Sequence, residues 1–75
     1  MLIREAYGEV LRAQRIERHL TLRQLAKKSC VSLSYIWGIE HGLKDPSSEI
    51  LQTLCKSLDM SVEELLAGAV GQLVA

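Results

Sequence analysis

Apolar residues recur along this chain at spacings of three and four, the period of an α-helix, and no run alternates as a half-buried strand would. Five helices account for the pattern. The first is read over Ile3 to Arg18, with Tyr7, Val10 and Leu11 on one face; Gln14 falls on that face too, an odd occupant of a core position. The second follows Thr21, whose hydroxyl suits a helix cap, and places Leu22, Leu25, Ala26 and Ser29 at i, i+3, i+4 and i+7. The third begins at Ser32, another cap, and runs to about Glu40, with Gly42 ending it. Residues from Gly42 to Pro46 read as a loop. Ser47 caps the fourth helix, whose inner face is Leu51, Leu54, Cys55 and Leu58. Ser61-Val62-Glu63-Glu64 opens the fifth with a capping box. The expected fold class is all-α: a compact array of five short, tightly connected helices.

The second and third helices are joined by about three residues around Cys30 and Val31. Ala26 sits where they would cross, and a small residue there permits a steep approach. Val31, Ile36 and Ile39 would fill the angle from inside. This is the plan of a helix-turn-helix, which presents its second helix to the DNA major groove. On the third helix, Ile36 and Ile39 mark the inner face, so at 100° per residue Ser34, Trp37, Gly38 and His41 point away from it. That outer face carries neither Lys nor Glu. Ser34 can donate or accept toward a base, and Leu33 and Trp37 offer apolar contact to a thymine methyl. Gly38 costs the helix about 1 kcal/mol relative to alanine, and would let the backbone approach the groove floor. Packing of Trp37 on a neighbouring helix or a partner chain is the other reading.

The 75 residues correspond to one domain, with formal net charge zero. A zero sum argues against nucleic acid until its distribution is considered. Residues 1–45 carry eight Lys/Arg against five Asp/Glu, a net +3, and residues 46–75 one against four, a net −3. Arg12, Arg15, Arg18, Arg23, Lys27, Lys28 and Lys44 therefore make the N-terminal part locally basic, which matters more for phosphate binding than the sum. Cys30 and Cys55 lie in leucine-rich helical stretches and read as small buried groups in a reducing compartment. No Cys-x-x-Cys or Cys/His cluster implies a metal. No apolar run marks a secretory leader or a membrane span. A cytoplasmic protein acting at the nucleoid is expected. There is no phosphate loop, carboxylate pair or nucleophile motif, and His19 and His41 lack partner patterns. No enzyme activity, cofactor or small-molecule substrate is expected.

Residues 8–66 resemble the lambda-repressor/Cro-type (XRE) helix-turn-helix family. The likeness is carried by Leu20-Thr21, Leu25-Ala26, Val31-Ser32, Tyr35-Ile36, Ile39-Glu40, Gly42, Pro46-Ser47, Leu51, Leu54, Leu58 and Val62 through Leu66. Within the family, the run from Lys44 to Leu51 looks most like the actinobacterial regulators of Clp protease genes. The resemblance implies a lambda-repressor-like DNA-binding domain over residues 1–66 and a sequence-specific transcription regulator acting on double-stranded DNA. It implies that Leu33, Ser34 and Gly38 read bases, and that Thr21, Leu22 and Arg23 grip a phosphate through backbone N–H groups and the helix dipole. It also implies an internal salt bridge between Arg15 and Glu40. Lys27, Lys28, Lys44 and His41, beside this surface, are expected on phosphates. The chain departs from the family at several points. Leu22 replaces a usual glutamine, so the phosphate contact there rests on backbone and Thr21. His19, Cys30 and Asp59 stand where glycine is usual, and either carry strain or adopt another turn.

The segment 67–75 is apolar and uncharged. Leu66, Ala69, Val70, Leu73 and Val74 form one helical stripe. With the five-helix core complete near Leu66, that stripe is expected to make a homodimer on an inverted repeat. The alternative is a frayed tail, or a stripe folded back on Tyr7 and the first helix. Two further readings of the whole chain stay open: the antitoxin of a toxin pair, and a restriction-modification controller.

Overall fold

The computed structural model describes all 75 residues. Five helices follow one another: α1 (Ile3–Glu17), α2 (Leu22–Ser29), α3 (Leu33–Glu40), α4 (Ser48–Ser57) and α5 (Val62–Val74). Thr21, Ser32, Ser47 and Ser61 cap α2 to α5, each hydroxyl accepting from the N–H three residues on. At Ser61 the Glu64 carboxylate accepts in return from the Ser61 N–H at 2.8 Å. These hydrogen bonds to Ser61 hold the Glu64 carboxyl below its ordinary range.

Three connections end in the same way. His19, Gly42 and Asp59 have left-handed backbone, with φ of 57°, 70° and 52°. In each case the next N–H reaches back to the carbonyl five residues earlier: Leu20 to Arg15, Leu43 to Gly38 and Met60 to Cys55. This is the Schellman ending, which satisfies carbonyls that the helix leaves orphaned. Only Gly42 occupies its site without strain, and a Cβ there would meet Glu5 Cγ at 2.7 Å. Cys30, between α2 and α3, is also left-handed at φ 59°. At His19, Cys30 and Asp59 the turns therefore keep glycine-type geometry without glycine.

Leu11, Leu25, Ile36, Ile39, Leu54, Leu58 and Leu65 are fully buried in one core drawn from all five helices. Cys55 joins them, and burial pushes its thiol up, as does the charge of Glu64. Cys30 does not join them: it is exposed, in the left-handed turn that follows α2. Gln14 is only half-buried.

The fifth helix also differs from the sequence reading. It runs unbroken past Leu66 to Val74 and packs along α1. Ala69 is 3% exposed within its own chain, and a Cβ at Gly68 would touch Val10 at 3.1 Å. The core is thus not complete at Leu66, since Gly68 and Ala69 in the next turn of α5 still pack against α1. At its other flank α1 meets α3 at Gly8, where any Cβ would overlap the Ile39 carbonyl oxygen.

Candidate nucleic-acid interface

Two fixed points set the pose of α3. Its outer end is tied to α1 by Arg15, whose Nε and Nη2 donate to both Glu40 oxygens at 2.7 and 3.0 Å. The third donor, Nη1, reaches the Leu20 carbonyl at 2.8 Å. The Glu40 side chain is 2% exposed, so this is a desolvated, bidentate pair. Its hydrogen bond holds the Arg15 guanidinium above its ordinary value, against the opposing effect of burial. The inner end of α3 is fixed by α2 through Leu25, Val31 and Ile36, with Ala26 half-buried at their crossing. Arg18 binds the Leu58 and Asp59 carbonyls and ties the end of α1 to the end of α4. Arg4 binds the Gly42 carbonyl at 2.9 Å.

What α3 turns outward is Leu33, Ser34, Trp37 and His41, all exposed. The last two are one unit. Their rings stack at 3.9 Å between centroids and 20° between planes, and His41 Nδ1 donates to the Trp37 carbonyl at 2.8 Å. Trp37 remains 43% exposed. Gly38 differs from the expectation that its bare backbone approaches DNA. It is buried, because the Lys44 side chain from the following loop lies over it.

The start of α2 stands beside this surface. Thr21 N–H is taken by the Gln24 amide and Thr21 Oγ1 by the Gln24 N–H. The N–H groups of Leu22 and Arg23 make no hydrogen bond. The Leu22 side chain packs against the core, which leaves only its backbone for an anion. Arg23 and Lys27 are exposed and lie one turn apart on α2. Lys28 is placed elsewhere, over a cleft between α2 and α4 lined by Ser29, Thr53, Lys56 and Ser57. Lys44 joins Ser32, Ser34 and Tyr35 around an open notch of about 480 Å³ on the outer side of α3. Sequence reasoning did not assign Ser32 or Tyr35 to this surface. Ser32 registered only as a cap, and nothing in the pattern marks Tyr35, which is half core and half notch.

A short helix crossed by a second across a tight, left-handed turn, with the second helix's polar face left open, is a helix-turn-helix. The chain belongs to the helix-turn-helix family, whose sequence pattern matches residues 11–65. It is 41% identical over 68 residues to the transcriptional regulator ClgR of Mycobacterium tuberculosis, matching 91% of this chain. The chain spans 61% of the length of that relative. The crystal structure of the clp gene regulator ClgR from Corynebacterium glutamicum superposes with a TM-score of 0.95 at 42% identity, over 99% of this chain and 79% of that one. The restriction-modification controller protein C.Esp1396I, as a tetramer on its natural 35 base-pair operator, matches with a TM-score of 0.81 at 26% identity. That match covers 93% of this chain and 97% of the controller's.

Proposed function

We propose that this protein is a sequence-specific, double-stranded-DNA-binding transcription regulator that docks α3 in the major groove as a homodimer. The observation that carries the reading is the outer face of α3: exposed, free of acidic side chains, and braced from behind by a desolvated ion pair. Leu33, Ser34 and Trp37 meet base edges. The free N–H groups of Leu22 and Arg23, with the Thr21 cap, take a phosphate at the positive end of α2. Arg23, Lys27 and His41 flank it. The relatives named as transcriptional regulators favour this over an antitoxin. A regulator of this kind works at the nucleoid in the cytoplasm and needs no catalytic group.

Dimerisation follows from size. The eight-residue α3 is about 12 Å long, enough for one half-site, and the molecule measures 32 × 22 × 21 Å. Two recognition helices must stand about 34 Å apart to enter successive major-groove faces, which one chain cannot arrange. Leu66, Val70, Leu73 and Val74 are exposed on α5 and supply the second copy's seat. Ala69, turned into its own chain, does not.

The test is Ser34→Glu, assayed by mobility shift on an enriched genomic fragment with circular dichroism as the control for folding. A carboxylate against the phosphate-rich groove removes specific binding while helicity is retained. Unchanged affinity would take α3 out of the interface. Arg23→Ala is expected to flatten the slope of log K against log salt by about 0.9, one phosphate contact.

A further inference from the structure

Gly38 is a glycine on the outer face of an exposed helix, and yet it is buried. The cause is a specific replacement. The Lys44 stem occupies the volume that a side chain at position 38 would fill: Cγ lies 2.6 Å, Cβ 3.6 Å and Cδ 3.7 Å from where the Gly38 Cβ would stand. The backbone holds it there. The Leu43 and Lys44 N–H groups both donate to the Gly38 carbonyl, at 2.8 and 3.2 Å, as part of the left-handed ending at Gly42. From Gly38 the Lys44 side chain borders the notch shared with Ser32, Ser34 and Tyr35. Ser34 is one turn before Gly38 on the same face. Lys44 therefore lies along the row of positions that faces the bases. Its ammonium forms no ion pair, since Arg15–Glu40 is the molecule's only one.

We propose that Lys44 is a specificity-determining residue, which supplies from the loop the base-reading side chain that Gly38 lacks and selects a guanine in each half-site. The inference rests on the DNA-binding reading above. The chemistry is that of an ammonium donor directed at guanine O6 and N7, both acceptors in the major groove, where adenine offers a donor beside its acceptor. A phosphate contact made by the same group would carry no sequence information. Placement over the helix face, rather than at the loop tip, favours the base.

The experiment selects duplexes from a randomised pool with the full chain, with Lys44→Ala, Lys44→Arg and Gly38→Ala. The unaltered chain is expected to enrich half-sites with a guanine at one position. Lys44→Ala loses that preference alone and weakens binding to the enriched site about tenfold to a hundredfold, with the salt slope unchanged. Lys44→Arg keeps the guanine. Gly38→Ala loses it, because the new methyl displaces the Lys44 stem although alanine is the better helix former. Circular dichroism of each variant confirms an intact fold. If Lys44→Ala weakens enriched and random duplexes alike, flattens the slope by about 0.9 and keeps the same consensus, Lys44 is a phosphate contact and the inference is wrong. If the unaltered chain enriches no sequence, the DNA-binding reading has failed, and this inference with it.

Discussion

Cys30 is the least suited of the residues held in left-handed backbone. Histidine and aspartate at positions 19 and 59 are among the side chains that tolerate such backbone, whereas cysteine gains nothing there. The left-handed conformation costs an L-residue roughly 1–2 kcal/mol, part of which glycine gives back in chain entropy. Cys30→Gly is therefore expected to raise stability by about 0.5–1 kcal/mol, seen as a higher urea midpoint at unchanged slope. A lower midpoint would mean that the exposed thiol makes a contact worth more than the strain. Gly8 is the opposite case. Alanine is the better helix former by about 1 kcal/mol, but its methyl would overlap the Ile39 carbonyl where α1 and α3 touch. Overpacking against backbone costs about 1–3 kcal/mol and has no flexible neighbour to absorb it. Gly8→Ala should lower thermal stability despite the propensity gain, by up to about 2 kcal/mol net; a stabilised variant would show that the two helices separate freely.

At the scale of elements, stability and the pose of α3 meet in Arg15 and Glu40. The pair joins α1 to the end of α3, beside a contact at Gly8 that has no side chain on one side. Removing one partner of a desolvated ion pair costs about 3–5 kcal/mol, since the other is left charged and dry. Arg15→Ala alone also abandons the Leu20 carbonyl. The expected result of a double-mutant cycle over Arg15→Ala and Glu40→Ala is a coupling above about 1 kcal/mol, read from chemical denaturation. A coupling near zero would mean that the two groups are solvated independently. The helix starts were legible in the sequence because Thr21, Ser32, Ser47 and Ser61 act on donors three residues away. The length of α5 was not legible. Whether an apolar stripe after Leu66 meets its own α1 or another molecule depends on a neighbour some sixty residues earlier in the chain.

For the whole molecule, the proposed dimer rests on the apolar residues left exposed on α5. Cutting the chain after Leu66 is a poor probe, because it removes Ala69 from the α1 seam and loosens the fold itself. The paired substitution Val70→Glu with Leu73→Glu changes two exposed residues and keeps Ala69 in that seam. It should convert a dimer to a monomer at tens of micromolar in sedimentation and weaken operator binding, with helicity preserved. A full chain that is already monomeric under those conditions, or a doubly substituted chain that still dimerises, removes α5 from the interface.

The five helices, their caps and the inward face of α3 follow from local rules, because period and capping act over three to eight residues, within reach of the pattern alone. The likeness at positions 15 and 40 implied a pairing that the fold realises with bidentate geometry. Gly38 marks where local reasoning stops. From its place on the outer face it reads as bare backbone open to DNA. Only the return of the loop at Gly42 covers it with Lys44. The same holds for Ala69, which joins a stripe in the sequence and a seam in the fold. The surface left open by folding depends on how separate elements pack, and packing is a property of pairs of elements far apart in the chain.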